Sequence, residues 1–419
     1  MSVAKLDYDS IIRMLTLRYD PKREPGKRPL QSIDFVPMHF EDIELKLISI
    51  IRDDLLHKKE ELKFKEICLS LSSGIDSVLT LAMIRSILPD VKIECISMGF
   101  GDTDDEINKA EELSKLYECN FHSITNADIL NELPKLINIV KEPRWNLYPY
   151  YIFEYGKQRF DNNIFFSGDG GDELLGGYVF RYHKFLSLMT PDIIRKEQWK
   201  EKVKLYLSCH ERDWVPDQPD IFGRMINFSW EKIYTLFESY FNNNLSHLDQ
   251  IFLADFNGKL LYDWLPQNKA FEESLHLNIY SIFLSDDMIK FATHIPWERK
   301  YNPSTGEGKI PLRVILSKYK GFEKVNTVKK GFSIDLMSLW ERRNTQDIIN
   351  RYIHSNSEIV KAQIISESWL KKVVNILKQS DQIDYQLKIR YISKMLSILA
   401  LEIWYRLFIS RSMTERQKL

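Results

Sequence analysis

Two acidic residues, Asp76 and Asp172, sit just beyond runs of small residues, and each run leaves an apolar stretch. The first reads Ser70-Leu71-Ser72-Ser73-Gly74-Ile75-Asp76-Ser77; the second reads Ser167-Gly168-Asp169-Gly170-Gly171-Asp172-Glu173, followed by Gly176-Gly177-Tyr178. Small residues let the backbone turn sharply and let a ligand approach the main chain. Carboxylates cannot favour a bare phosphate, but they hold a divalent cation that phosphates share. The spacing therefore points to polyphosphate and metal chemistry divided between two loops.

The elements around the loops fit that use. Ile67, Cys68, Leu69 and Leu71 form a short apolar run that predicts a buried strand of a parallel sheet. From Asp76 onward, Val78, Leu79, Leu81, Ala82, Ile84 and Ile87 give the apolar face of a helix. Its N-terminal N–H groups and dipole would face an anion, and Ser72 and Ser77 would add hydroxyl donors. Ser and Asp at that place also suit an ordinary capped helix start. No G-x-x-x-x-G-K-[ST] occurs in the chain, so the usual γ-phosphoryl cradle is absent. Asn163 to Phe166 predict a second strand before Ser167. Three glycines and three acids in the seven residues that follow make a poor helix and a poor strand, and a good loop for metal and phosphate.

The first loop resembles the S-G-G-x-D-S loop of the N-type ATP pyrophosphatases, with Ser73 in place of the first glycine of the pair. The second resembles the S-G-[DE]-G-x-D-E-x-x-G-G-Y signature of asparagine synthetases. Ile96 to Phe100 resemble the strand segment whose backbone meets the adenine. Asp105-Glu106 resemble the acidic start of the next helix, and Lys141-Glu142-Pro143 an acid-acid-Pro segment. Lys309 to Arg313 and Lys329-Lys330-Gly331-Phe332 resemble the late K-x-x-L-R and R-x-K-x-G-F segments, and Leu401 to Trp404 the closing helix. The likeness spans roughly residues 15 to 408.

The resemblance implies a carbon–nitrogen ligase that cleaves ATP to AMP and pyrophosphate. It puts ATP and its pyrophosphate on Leu71, Ser72, Ser73, Gly74, Asp76, Ser77, Met98, Ser167 and Gly168, and Mg²⁺ on Asp76 and Asp172. Lys329 would neutralise charge at the α-phosphoryl group, and Asp169 would take a proton from the attacking amine or orient it. Glu142 and Arg144 mark an acceptor pocket. A small carboxylic acid would be adenylated and passed to ammonia or an amine.

Two departures matter. Asparagine synthetases carry an N-terminal glutaminase with a cysteine nucleophile, whereas position 2 here is Ser2 and nothing like that domain precedes residue 15. The expectation is a chain that does not hydrolyse glutamine and uses free ammonia, an amine, or a separate glutaminase subunit. The family's E-x-R-x-P-F-L-D segment is replaced by His276-Leu277-Asn278-Ile279-Tyr280-Ser281, and Gln267-Asn268 stand where the family has Asp-Arg. Arg144 and Trp145 also differ from the small or acidic residues usual after Pro143. Asparagine cannot reproduce the bidentate fork with which arginine grips a carboxylate. Aspartate therefore competes with another small acid, a sugar acid or a peptide carboxylate, including lactam formation. A non-catalytic nucleotide-binding relative is a further alternative.

Strand and helix patterns alternate over about 56–190, with strands near 66–72, 91–98, 119–124 and 163–167. They predict a doubly wound, Rossmann-like parallel sheet of the adenine nucleotide alpha hydrolase kind, with ligands at the strands' carboxyl ends. Residues 1–55 are expected as an extension, with Leu17 to Arg28 an exposed loop, and 191–419 as a helical region completing the site. A chain of 419 residues with net charge -1 has no field to recruit nucleic acid. Cys68, Cys95, Cys119 and Cys209 lack metal-pair spacing and suit free thiols in a reducing cytoplasm. Met1 to Ser10 is too polar for a signal peptide. Tyr391 to Ile409, broken by Lys394, Glu402 and Arg406, reads as a buried helix rather than a membrane span.

Overall fold

The computed structural model describes residues 6–99, 105–125, 128–160, 163–193, 198–327, 334–378 and 384–419. Five parallel strands form its central sheet: β1 (Glu66–Ser70), β2 (Lys92–Met98), β3 (Asn120–Ile124), β4 (Ile164–Ser167) and β5 (Asn278–Ser281). Their order is β3-β2-β1-β4-β5. Ile67, Cys68 and Leu69 are wholly buried, as strands covered on both faces must be.

The order decides where a ligand can sit. β1 pairs with β2 on one side and with β4 on the other, with Cys68 opposite Phe165 and Leu69 opposite Phe166. Crossovers leave β1 in opposite directions, which opens a crevice at the carboxyl ends of β1 and β4. The two small-residue loops follow those two strands, so they become neighbours although about ninety residues separate them.

Two expectations need correction. The sheet does not stop at residue 190: β5, from the region expected to be helical, pairs with β4 from Ile164–Asn278 to Ser167–Ser281. Four residues with a β-branched and an aromatic side chain are too short a signal to be seen amid helices, and pairing with an open strand edge supplies the rest. Nor is Leu17 to Pro21 an exposed loop. Tyr8–Leu17 is a helix, Leu17 and Tyr19 are buried, and Asp20 is buried on the guanidinium of Arg13 at 2.5 Å. Ile11, Ile12 and Leu15 give this segment a packing face that tertiary contacts complete. The extension's second helix, Ile43–Leu62, runs across the expected boundary at 55 and packs on Ile75–Ile87.

The last helix, Tyr385–Phe408, is buried on nearly every side. Glu402 lies wholly inside, accepts the backbone N–H groups of Glu358 and Ile359 at 2.9 and 3.0 Å, and pairs with Arg406. The acid that interrupts the apolar run thus caps another helix. No helix among the described residues is long and apolar enough to cross a membrane.

Candidate active site

The first loop is stiffened by its own serines. The Ser77 hydroxyl donates to the Ser72 carbonyl at 2.9 Å, the Ser72 N–H donates back to Ser77 Oγ at 3.1 Å, and the two hydroxyls lie 2.8 Å apart. Gly74 then caps the helix Ile75–Ile87 without a side-chain bond, leaving that terminus open to an anion. Ser73 is buried, and its carbonyl accepts the Asn326 N–H at 2.8 Å.

The second loop presses against the first. A Cβ on Gly168 would lie 2.9 Å from Asp76 Cβ and 3.0 Å from the Ser77 nitrogen. A Cβ on Gly177 would lie 1.8 Å from Asp172 Oδ1 and 2.5 Å from Lys309 Cε. The glycines are there because the two acids and a lysine occupy the space a side chain would need.

That lysine is the residue the motif reading left without a role. Lys309 Nζ lies 2.6 Å from Asp76 Oδ2 and 2.5 Å from Asp172 Oδ1. It stands in the left-handed region at φ 54, just before the helix Ile310–Leu316, and its N–H donates to Leu175 O at 3.1 Å. Burial pulls its ammonium down, but the carboxylates of Asp172 and Asp76 outweigh that and hold it well above its ordinary range. Two carboxylates from two loops thus already converge on one cationic centre. Arg313 donates to Gly308 O at 2.7 Å and to Thr327 O at 2.6 Å, tying the backbone beside the lysine to the chain just before residue 328. Lys329 itself lies outside the described residues.

Asp169 faces the same cavity. Its carboxylate accepts from the Ser167 hydroxyl at 2.8 Å, the Trp264 indole N–H at 2.7 Å and the Asn268 amide at 3.1 Å. The Ser281 hydroxyl donates to its backbone carbonyl at 2.6 Å. Asn268 and Ser281 belong to the region where the family pattern is lost, and here that region orients an acid of the second loop. Trp264 closes a wide π-type helical segment, Phe256–Trp264, broken at Gly258. Such segments re-aim side chains. Trp264 carries no motif that would have revealed it, and Asn268 stands out in the sequence only as the replacement of the family's arginine.

These groups line a cavity of about 620 Å³, a size ordinary for small-molecule sites. Leu71, Ser72, Gly74, Asp76, Ser77, Met98, Ser167, Gly168, Asp169 and Asp172 all reach it, and so does Glu106. Ser73 does not line it, its side chain being buried, and neither do Glu142 and Arg144. They form a buried ion-pair cluster behind its wall, where Arg144 binds Glu142 and Asp263 and donates to the carbonyls of Arg18 at 3.0 Å and Tyr262 at 2.9 Å. Arg23 reaches Glu142 at 2.5 Å. The burial of Arg144 comes from these partners, which no sequence spacing discloses.

The described residues contain no group of three or more His, Cys, Asp or Glu able to enclose a metal. Two carboxylates meeting on one cation do suit Mg²⁺, which takes one or two protein carboxylates and completes its shell with phosphate oxygens and water.

The asparagine synthase family model matches residues 61–406. Glutamine-hydrolysing asparagine synthetases are similar to the chain: that of Mesocricetus auratus is 26% identical over 194 residues, covering 43% of this chain and 34% of the relative, and that of Homo sapiens is 28% identical over 160 residues, covering 36% and 28%. The chain therefore matches about a third of the length of these relatives. A solved U34-tRNA thiolase from Methanococcus maripaludis is similar at 12% identity and a TM-score of 0.26, over 57% of this chain and 81% of that one. With its two loops, its sheet order and the match over most of its length, this chain belongs to the asparagine synthase family, whose members are ATP-using amidation ligases.

Proposed function

We propose that this chain is a ligase that adenylates a carboxylic acid and passes the acyl group to ammonia or an amine, releasing AMP and pyrophosphate. The observation that carries this reading is the convergence of Asp76 and Asp172 on Lys309 between two glycine-bearing loops at the carboxyl ends of β1 and β4. ATP lies with its adenine toward Met98 and its phosphates over Leu71 to Ser77, where the helix terminus favours negative charge. Asp76 and Asp172 would hold Mg²⁺, which supplies positive charge to the β- and γ-phosphates when bound.

The substrate carboxylate attacks the α-phosphorus, and pyrophosphate leaves toward Lys309, which offers a buried ammonium to the departing charge. Lys329 neutralises charge on the α-phosphoryl group; the chain reaches the first loop just before it, through Asn326 on Ser73. Asp169, held by Ser167, Trp264 and Asn268, accepts an N–H of the incoming amine and orients it toward the acyl carbon. The amine displaces AMP and an amide forms.

The test is acid-dependent ATP–pyrophosphate exchange with Mg²⁺, followed by amide detection with ammonia. Exchange in the presence of an acid is expected. Tight ATP binding without exchange across a broad acid panel would instead favour a nucleotide-binding relative.

A further inference from the structure

Beyond Asp169 the cavity wall changes sign. Arg18, Arg212 and Lys259 all line it, and none belongs to either loop. Lys259 stands five residues before Trp264, in the same π-type segment that supplies the indole holding Asp169. Arg18 ends the helix Tyr8–Leu17 in the left-handed region at φ 71, and its carbonyl is gripped by Arg144. Its guanidinium stands 5.8 Å from the ring of Trp145, another wall residue.

Arg18 and Lys259 share a partner. Asp213 is the carboxylate nearest both cations, 2.5 Å from Lys259 Nζ and 3.6 Å from Arg18 Nη1. Lys394, buried in the last helix, donates to Asp213 O at 2.8 Å and to the carbonyl of Leu15. One carboxylate, that of Asp213, thus serves both Arg18 and Lys259, while Lys394 holds the backbone carbonyl of Asp213. Asp263, a second acid of this wall, is bonded by Arg144 and also lies in the field of Arg18 and Lys259. The side chains of Arg18 and Lys259 keep 23% and 31% of their surface, so a ligand in the cavity can reach them. Burial, against the attraction of Asp213, pulls the ammonium of Lys259 down to about 8, and that of Lys394 to about 7. Two partly exposed cations that share one carboxylate keep N–H donors for a further anion from the cavity.

We infer that Arg18 and Lys259 form a subsite for a second anionic group on the acceptor acid, a carboxylate or a phosphate, carried a few bonds from the carboxylate that reacts. The inference rests on the adenylation reading for the position of the reacting carboxylate. It also accounts for the arginine missing near β5: the charge that would grip the acceptor comes from the N-terminal helix and the π-type segment.

Three acids of matched length test it: butyrate, with one anionic end; succinate, with two carboxylates; and 3-phosphonopropionate, with a carboxylate and a phosphonate. Each is titrated calorimetrically into the full chain with Mg²⁺ and α,β-methylene ATP at the nucleotide end. At least one dianion should bind about tenfold or more tightly than butyrate, the size of one charge-assisted contact. The better of the two identifies the anion as carboxylate or phosphate. Arg18→Met and Lys259→Met should each bring that dianion close to butyrate while leaving nucleotide affinity unchanged, which also reports that the variants are folded. Dianions that bind no better than butyrate in the unaltered protein overturn the subsite, as does dianion selectivity that survives both substitutions. Nucleotide that fails to bind while the dianion preference persists counts against the adenylation reading alone.

Discussion

The two ends of the cavity are built differently. At the phosphate end, two contiguous loops supply nearly everything, and glycines let Asp76, Asp172 and Lys309 crowd within bonding distance. At the basic end, Arg18, Lys259, Asp213 and Lys394 come from four segments spread over the length of the chain, and no two of them share a motif. Chemistry common to a family can be carried by short loops, because the strand order alone sets them side by side. Selection of an acceptor sits on distant elements whose meeting depends on the whole packing, so it can change while the loops stay as they are.

The sharpest break in that comparison is Asp76→Ala or Asp172→Ala. Either should lower pyrophosphate release by about a thousandfold or more, because the charge that positions the phosphates is lost. Circular dichroism and succinate affinity should stay near those of the unaltered protein. Loss of acid binding in these variants would mean that the two ends are not separable.

Arg144→Met attacks the other end from behind. It leaves Glu142 and Asp263 without their buried partner and frees the carbonyl that holds Arg18. Breaking a buried pair in this way costs about 3–5 kcal/mol. The expected result in urea denaturation is a marked drop in midpoint, with a weakened dianion preference in the protein that remains folded.

Gly177→Ala returns to the phosphate end with a smaller change. The added methyl must displace Asp172 or Lys309, and overpacking of this kind costs about 1–3 kcal/mol. Turnover should fall about a hundredfold, since small misplacements at reacting groups have effects of that order. The Tm should drop by only a few degrees, and the loss should appear in kcat rather than in acid affinity.

The smallest effect is one of pH at the basic end. Burial brings Lys394 to about 7, with Asp213 opposing the shift and Arg18 and Arg390 adding to it. The unfolded chain keeps that proton to about 10.4. Between these values the unfolded state binds more protons, so stability rises with pH across the window. Lys394→Met removes the group. The unaltered protein should therefore gain on the variant between about pH 6.5 and about pH 9 in paired urea titrations. A constant gap would mean that Lys394 stays charged inside the fold.

Much of the phosphate end was legible before any coordinates. The apolar run Ile67 to Leu71 placed β1, and Ser167 to Gly177 placed the second loop, because turns, small residues and acids act over a few positions. Lys309 was visible as part of a motif but without a role, since its partners lie 233 and 137 residues away in the chain. β5 was missed because four residues carry too little pattern, and Trp264 because its meaning depends on Asp169; Asn268 was visible only as a lost arginine. Glu142 and Arg144 were expected at the acceptor and are found in the cluster that anchors Arg18.

Local pattern was thus enough for the alternation of strands and helices and for the two loops, since each follows from neighbours within about one turn or one strand. Tertiary packing was needed to bring Lys309 between two aspartates, to add a fifth strand, and to gather cations from both ends of the chain around Asp213. The reason is physical: charge and close contact act through space, and along the chain nothing marks which distant groups will share a buried volume.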